Sequence, residues 1–297
     1  MKKTTKIILS LLLVLLIVIA SGTYYAGDYF YNYALKPDSQ NLSYYTPVSS
    51  PACLRVKVKS FDGLSLSALS YEQNKATDIW VICVHGFKSE AKNMLNYIHG
   101  FYNMGYNVLA PDLRGHGGSE GKFIGMGWYD RLDVITWTNS IIQNNPNAKI
   151  ILFGVSMGGA TVMMASGEKL PENVRAIVED CGYTSVSDIF SYQLKETFNL
   201  PKFPVFYAAD LVTKIRTGYS FEKASAVKQL KKSITPTLFI HGDADIYVPF
   251  GMLQKVYDAA SCEKEMYVVH GAGHAEAAKV GGTDYWKHVN AFISKHI

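Results

Sequence analysis

The sequence predicts an α/β fold with a mostly parallel, doubly wound sheet, preceded by an N-terminal hydrophobic segment. Short apolar runs alternate with segments of helical character along most of the chain, the pattern that gives parallel strands joined by crossover helices. Ile79–Val84 is apolar throughout, as expected of a central strand that is covered on both faces. Later strands are predicted around residues 108–109, 150–153, 176–178, 238–240 and 267–269.

Two segments that precede Ile79–Val84 have a different pattern. Residues 55–59 and 64–69 alternate in polarity with period two, and Phe61-Asp62-Gly63 lies between them. This pattern is typical of an antiparallel hairpin. We place it at the start of a domain spanning residues 53–297, because a chain of 297 residues suits one large α/β domain plus a tail.

The charge balance gives no indication of an anionic partner. The net charge is +4, from 29 Lys and Arg residues against 25 Asp and Glu residues. Lys2, Lys3 and Lys6 supply three of the positive charges, so the remainder of the chain is close to neutral. We therefore expect no nucleic acid among its partners.

The N-terminus joins a basic start to an apolar stretch, and two interpretations compete for residues 1–26. A cleaved signal peptide is one, because Ala20, Ser21 and Gly22 offer small residues for cleavage. An uncleaved signal-anchor over residues 7–26 is the other, and it reaches the about 20 residues that span a bilayer. In both cases the lysines stay in the cytoplasm and the following domain faces outward. We favour a cell-membrane protein with a single anchor over a secreted one.

Aromatic residues after the apolar stretch favour the anchor, because they would lie where an interfacial aromatic belt is found. They are Tyr24, Tyr25, Tyr29, Phe30, Tyr31 and Tyr33. Residues 27–52 are rich in Tyr, Ser, Asn and Pro, and we interpret them as a stalk or a docking segment.

A serine motif lies between the apolar run at 150–153 and a helix-like run at 160–165. The motif is Gly154-Val155-Ser156-Met157-Gly158, which is G-x-S-x-G in its required strand-to-helix setting. A serine on such a sharp turn presents its hydroxyl at the edge of the sheet. Because a free hydroxyl is a poor nucleophile, Ser156 needs a base and a group that orients the base.

A carboxylate and a histidine follow two later strands. Asp245 comes shortly after residues 237–240, and His274 shortly after residues 266–269. Both would meet Ser156 at the carboxyl edge of a parallel sheet, and Ser, Asp, His is a known chain order for such sites. The alternatives are Asp243 and Asp180 for the acid and His270 for the base.

With two further segments, Val84-His85-Gly86-Phe87 and residues 111–119, the chain resembles α/β-hydrolases of the serine esterase and peptidase type. The resemblance covers about residues 53–297 and is greatest to membrane-anchored bacterial hydrolases with a short helical cap. It implies that Ser156 is the nucleophile and His274 the general base. It selects Asp245 as the acid, because this is the second acidic position of the pattern H-G-x-x-D-x-x-V-P.

The resemblance also implies the remaining parts of the site. The oxyanion hole would consist of the backbone N–H groups of Phe87 and Met157. The interval 182–234 is too long for a single crossover, and we interpret most of it as a helical cap. We expect most of the aromatic residues of this cap to pack it onto the sheet and a minority to line an acyl pocket. Asp112, Arg114 and His116 would belong to a structural loop beside the site.

The predicted function is cleavage of carboxylic esters through an acyl-enzyme on Ser156, with a small-molecule ester or amide as substrate. An amidase or serine exopeptidase with the same triad is the alternative, and a surface binding protein without turnover is the alternative of another class. No Cys, His, Asp or Glu cluster has metal-ligand spacing, and no glycine-rich dinucleotide loop opens a βαβ unit. We therefore expect neither a metal nor a cofactor.

Overall fold

The structure is a computed structural model that describes residues 3–37 and 53–297. Within these residues, eight strands form one sheet in the order β1-β2-β4-β3-β5-β6-β7-β8. β1 pairs antiparallel with β2, β2 pairs antiparallel with β4, and all later pairs are parallel. The strands are β1 (Cys53–Lys59), β2 (Ser65–Tyr71), β3 (Ile79–Val84), β4 (Asn107–Pro111), β5 (Lys149–Val155), β6 (Val174–Asp180), β7 (Thr237–Gly242) and β8 (Lys264–Val269).

Helices follow the strands as the alternating pattern predicts, so the mostly parallel α/β architecture is confirmed. A 3₁₀ turn at Ala91–Met94 leads into α2. The helices are α1 (Lys3–Leu35), α2 (Leu95–Asn103), α3 (Asp130–Asn144), α4 (Met157–Ser166), α5 (Val186–Phe198), α6 (Val205–Thr217), α7 (Ala226–Leu230), α8 (Gly251–Ala259) and α9 (Ala277–Ser294).

Both faces of the sheet are covered, which explains the continuous apolar run of β3. Ile82 and Val84 point into the apolar layer that includes α3, α4, α7 and α8. Val81 and Cys83 point into the opposite layer, which includes α2 and α9. Successive side chains of a strand point to opposite faces, so a strand buried twice must be apolar at every position.

The N-terminal helix is longer than the sequence indicates. It continues past residue 26, the expected end of the hydrophobic segment, through nine residues assigned to the stalk or docking segment. These last turns pack on α6, and Tyr31 and Leu35 are buried in the main core. The later part of that segment, residues 38–52, lies outside the described residues.

The interval expected to form the cap divides into two parts. α5 and α6 lie between two segments that come together at its base, where Ser185 and Ser225 form a β-bridge and Val186 N–H donates to Ala224 O at 2.9 Å. α7 lies beyond this closure and packs against α4 and α8. α5 and α6 therefore form the part of residues 182–234 that extends away from the sheet. α7 belongs to the helical layer that also contains α4 and α8.

Candidate active site

Ser156 lies at a sharp turn between β5 and α4. Its backbone dihedrals are φ 58° and ψ −116°, a conformation that is rare for a residue with a side chain. Two hydrogen bonds hold it: Ser156 N–H donates to Asp180 O at 2.8 Å, and Ala160 N–H donates to Ser156 O at 2.9 Å. The turn is close-packed, since a Cβ at Gly158 would lie 2.1 Å from Val84 O.

The structure brings Ser156, His274 and Asp245 into one hydrogen-bonded chain. His274 follows β8, and its Nε2 lies 2.9 Å from Ser156 Oγ. Its Nδ1 lies 2.7 Å from Asp245 Oδ2, in the loop after β7. Since a carboxylate only accepts, Nδ1 carries the proton and donates to Asp245, which leaves Nε2 to accept from the serine hydroxyl. This is the arrangement that activates a serine.

The Asp245 carboxylate is completely buried and has several donors. Oδ1 accepts from the backbone N–H groups of Tyr247 at 2.8 Å and Val248 at 2.9 Å. Oδ2 lies 3.3 Å from Nε2 of His241, which also donates to Val248 O at 2.9 Å. Burial by itself would raise the pKa of Asp245, but the hydrogen bonds with His241 and His274 outweigh it and hold that pKa well below its ordinary value. The carboxylate therefore stays charged beside the imidazole.

The alternative acids have other partners. Asp180 Oδ2 accepts from Tyr285 OH at 2.9 Å, and its burial raises its pKa to about 6. Asp243 pairs at 2.7 Å with Nδ1 of His270, whose side chain is 88% exposed. Asp243 and His270 thus form a separate pair at the surface.

The loop after β3 passes directly beside the serine. A Cβ at Gly86 would lie 3.4 Å from the Cβ of Ser156. His85 anchors the loop: its Nδ1 donates to Gly86 O at 2.7 Å and its Nε2 accepts from Leu113 N–H at 3.0 Å. Burial lowers the pKa of His85 to about 4, so the ring is neutral and can hold both bonds.

The two backbone N–H groups expected to form an oxyanion hole are those of Phe87 in this loop and Met157 at the start of α4. Neither donates to an acceptor within residues 3–37 and 53–297. Their role as an oxyanion hole stays a prediction, which the positive end of the α4 dipole at Met157 favours.

Ser156 lines two cavities. One, of about 370 Å³, lies under the cap and is walled mainly by aromatic and aliphatic side chains. The other, of about 640 Å³, includes His274, Gly86 and Trp286. Volumes of ~300–1,000 Å³ are typical of small-molecule sites. Two cavities that meet at Ser156 have room for the two parts of a substrate on either side of its hydroxyl.

The cap aromatics divide between lining and packing. Phe190, Phe198 and Phe206 line the smaller cavity. Tyr219 is buried in the core, whereas Phe203 and Tyr207 are exposed.

Sequence reasoning missed a link between the cap and residues 243–248, which follow β7 and which we call the acid loop. Tyr192 OH on α5 donates to Ile246 O at 2.9 Å, and Gln193 Nε2 donates to Tyr247 O at 2.7 Å. The Tyr247 ring centre lies 4.8 Å from that of His274, and Tyr247 lines both cavities. Only the tyrosine's position between Asp245 and Val248 in the acid motif could have drawn attention to it.

Metal-ligating atoms come together at one place in the described residues. Cys181, Asp245 and His274 offer ligand atoms that all lie within 4.8 Å of one another. This grouping could not be predicted from the sequence, because Cys181 lies far from Asp245 and His274 in the chain. The arrangement fits a metal poorly, since His274 Nδ1 and Asp245 Oδ2 are already hydrogen-bonded to each other and burial raises the pKa of the Cys181 thiol.

The loop at residues 111–119 makes its contacts away from the serine. Arg114 forms a buried two-bond pair with Asp133, at 2.7 and 2.8 Å, and contacts Asp62 at 2.9 Å. Asp112 accepts from Ala91 N–H and Gly118 N–H. The His116 ring stacks edge-on against His85. These contacts fasten the loop beside the one that carries Phe87.

Comparison with known proteins identifies relatives and structural neighbours. The family model described as serine aminopeptidase, S33, matches residues 75–192. The uncharacterised protein YqkD of Bacillus subtilis is 30% identical over 72% of this chain and 70% of its own length. The uncharacterised protein YfhR of Escherichia coli is 25% identical over 58% of this chain, and the match spans 54% of that protein.

Solved structures share the fold at low identity. An esterase of Pyrococcus furiosus has a TM-score of 0.69 at 22% identity, covering 88% of this chain and 99% of its own. An acylaminoacyl peptidase of Pyrococcus horikoshii has a TM-score of 0.63 at 16% identity, covering 83% of this chain and 42% of its own.

Proposed function

Because this chain belongs to the α/β-hydrolase superfamily, with an esterase and a peptidase among its structural neighbours, we propose that it is a serine hydrolase that cleaves carboxylic esters. The observation that carries the proposal is the pair of hydrogen bonds from Ser156 to His274, at 2.9 Å, and from His274 to Asp245, at 2.7 Å. The reaction would proceed through an acyl-enzyme on Ser156.

In the first half of the reaction, Ser156 Oγ attacks the ester carbonyl carbon while its proton passes to His274 Nε2. The carbonyl oxygen becomes an oxyanion that accepts hydrogen bonds from the N–H groups of Phe87 and Met157. Asp245 stabilises the imidazolium. The C–O bond to the alcohol then breaks, and the alcohol leaves with the proton from His274. Water repeats the sequence on the acyl-enzyme and releases the carboxylic acid.

An aminopeptidase or amidase with the same residues is the second candidate, and the description of the matching family model favours it. An aminopeptidase needs a negatively charged group near the substrate's free amino group. In the described residues, neither cavity at Ser156 is lined by an Asp or Glu side chain, and the smaller one is walled mainly by apolar groups. This lining supports an uncharged acyl group rather than a free amino terminus, and so speaks against an aminopeptidase. Turnover of p-nitrophenyl esters beside aminoacyl anilides compares the two activities directly.

Ser156→Ala tests the proposal. We expect this variant to lose both labelling by a fluorophosphonate probe and ester turnover while remaining folded, because the hydroxyl supplies the bond-forming atom and little packing. Ser166→Ala is the matched control, since Ser166 is also buried on the α4 segment but its hydroxyl donates to Met163 O rather than to His274. Probe labelling of Ser156→Ala would refute the assignment. A wild type that takes no probe would instead favour a binding protein without turnover.

The proposed location rests on α1, which is long and apolar enough to cross a membrane by length and composition, with a mean hydropathy of 2.6 in its most apolar window. We propose an uncleaved anchor with residues 53–297 outside the cell as the hydrolase domain. Secretion after cleavage near residue 22 is the alternative.

A further inference from the structure

The N-terminal helix supplies part of the wall of the cavity at Ser156. Phe30, Tyr33 and Ala34 of α1 line the 370 Å³ cavity together with residues of α5 and α6. The Phe30 and Tyr33 rings stack edge-on against Phe198 of α5, at 5.0 and 5.4 Å between ring centres. The apolar helix and the substrate cavity therefore share a surface.

The cavity wall begins close to where α1 would leave a bilayer. No charged residue lies between Lys6 and Asp28, a span of roughly 33 Å along a helix, which matches a hydrocarbon core of about 30 Å. Asp28 is ion-paired with Arg216 of α6. From Asp28 to Ala34 the helix rises only roughly 9 Å. The open cavity thus lies within the headgroup region or immediately above it.

The cap presents a second apolar surface next to α1, which we call the apolar stripe. Tyr207, Leu211 and Ile215 recur every fourth residue of α6 and so share one face of that helix. Phe203 precedes α6, and its ring centre lies 6.4 Å from that of Tyr207. They are strongly exposed: Phe203 by 74%, Tyr207 by 57%, Leu211 by 58% and Ile215 by 73%. Contiguous exposed apolar surface on a soluble domain marks a contact site.

The apolar stripe is continuous with the anchor. α6 packs tightly on α1, where a Cβ at Gly27 would lie 2.7 Å from the backbone of Ala208. The ion pair of Arg216 with Asp28 sets the end of α6 level with the end of the apolar span. A bilayer that holds residues 7–26 would therefore meet Ile215 and Leu211 at its surface.

We propose that the substrate is a long-chain acyl ester resident in this membrane, and that its acyl chain enters the cavity between α1 and the cap. This inference rests on the proposed esterase function. The cavity is walled by aromatic and aliphatic groups, and in the described residues Lys88 is the one charged side chain that lines it. An alkyl chain would exchange the hydrocarbon of the bilayer for this wall without crossing water.

The experiment uses the full chain in vesicles of palmitoyl-oleoyl phosphatidylcholine and compares p-nitrophenyl palmitate, dissolved in the bilayer, with p-nitrophenyl acetate. With kcat/KM referred to total ester concentration, we expect the wild type to prefer palmitate by roughly a hundredfold or more. Removal of a few methylene groups from water already gives that factor, and the bilayer gathers the long-chain ester before it enters the cavity. Ala34→Trp fills the cavity from the anchor side and should lower the ratio of palmitate to acetate roughly tenfold or more. Asn32→Trp is the control, because Asn32 is exposed on α1 and lines no part of the cavity.

Rates are taken per fluorophosphonate-labelled site, so that misfolded protein is not counted, and Ala34→Leu provides a smaller change of the same sign. A second comparison replaces Leu211 and Ile215 together by Glu, with Ile234→Glu as the control at an exposed isoleucine that lies between α7 and the amino end of β7. The double variant should also lower the palmitate to acetate ratio, and Ile234→Glu should not.

The two proposals fail differently. An enzyme that labels at Ser156 and cleaves acetate, but has no preference for palmitate or keeps it in Ala34→Trp, would overturn the membrane substrate and leave the esterase intact. Preference for palmitate that survives the Leu211 and Ile215 replacements would overturn entry from the bilayer. Absence of turnover on every ester would overturn the esterase and the inference with it.

Discussion

The Ser156 hydroxyl owes its position to a backbone conformation that residues with side chains avoid. A residue held in such a region typically costs about 1–3 kcal/mol, so its surroundings must enforce the conformation. Here Ser156 N–H is fixed by Asp180 O and Ser156 O is fixed by Ala160 N–H, one bond on each side of the turn. Asp180 thus supports the serine through its main chain, while its carboxylate is turned to Tyr285.

Asp245→Asn tests which carboxylate orients His274. An asparagine keeps the size of the side chain but offers no charge to the imidazolium and can stabilise the wrong tautomer. We expect kcat/KM for a p-nitrophenyl ester to fall on the order of 10⁴-fold, as in serine proteases. Asp180→Asn should cause a far smaller loss, because the nearest partner of that carboxylate is Tyr285. The opposite ranking of the two variants would assign the acid to the end of β6.

Asp180 should also make stability depend on pH. Burial raises its pKa from 3.8 to about 6, so the folded state binds this proton more tightly than the unfolded state does. Its contribution to the free energy of unfolding is therefore full below pH ~4 and is lost as the pH rises through ~6. The contribution of Asp245 to stability has the opposite sign. Its pKa is lowered in the folded state, so the stability that it adds is lost only as the pH falls below the ordinary pKa of an aspartate.

Urea unfolding of detergent-solubilised wild type and Asp180→Asn between pH 4 and pH 7 measures this difference. We expect wild-type stability to fall across that range relative to the variant, because asparagine does not titrate. Parallel pH profiles for the two proteins would show that Asp180 ionises in the folded state as it does in the unfolded state.

At the scale of elements, the contact of α1 with α6 depends on the absence of a side chain at Gly27. Gly27→Leu would place atoms where the backbone of Ala208 already lies, within 2.7–2.8 Å of the added Cβ. We expect the docked turns of α1 to separate from α6, with a lower thermal midpoint and faster proteolysis between residues 26 and 37. Gly22→Leu is the matched control, since nothing lies within 4 Å of a Cβ at that position. Equal behaviour of the two variants would mean that the helix contact adds no stability.

The elements that the sequence predicted best are those with a local signal. Ile79–Val84 is apolar because both of its faces are covered, and the strand has the predicted bounds. Ser156, Asp245 and His274 each lie just after a strand, so a parallel sheet brings them to one edge and to hydrogen-bonding distance. Their catalytic roles stay a prediction.

The fate of the aromatic residues after the apolar stretch could not be predicted in this way. The sequence placed Phe30, Tyr31 and Tyr33 in an interfacial belt, yet Tyr31 is buried and the other two line the cavity. Their partners on α5 and α6 lie more than 150 positions later in the chain, where no periodicity relates them to α1. The contact of His241 with Asp245 could not be predicted either, because it depends on how the acid loop folds back on β7.

At the scale of the whole molecule, α1 has two parts with different surroundings. Its first part, up to about residue 23, presents its large apolar side chains to the outside, and its last turns pack into the domain. The proposed membrane span and a structural element of the domain are thus joined in one continuous helix. Removal of the first part should leave the fold unaffected, whereas removal of the whole helix should not.

Three chains separate these roles: the full chain, one beginning at Thr23 and one beginning at Pro37. The full chain should remain in the membrane fraction through a high-salt wash with its N-terminus at or near Met1, because salt screens charges but does not release a helix from hydrocarbon. The chain from Thr23 should be soluble and active, since it keeps Gly27, Tyr31 and Leu35. The chain from Pro37 loses the burial of Leu35, worth roughly 1.5–3 kcal/mol, together with that of Tyr31, so its thermal midpoint should be lower.

Differential scanning of the two shorter chains, with ester turnover per labelled site, measures this effect. Equal midpoints for the chains from Thr23 and Pro37 would show that the docked turns add nothing to the domain. Recovery of a mature protein that begins at Thr23 in the medium would replace the anchor by a cleaved signal peptide. That result would still leave Phe30, Tyr33 and Ala34 in the cavity wall, because the mature chain would retain every turn of α1 that contacts the hydrolase domain.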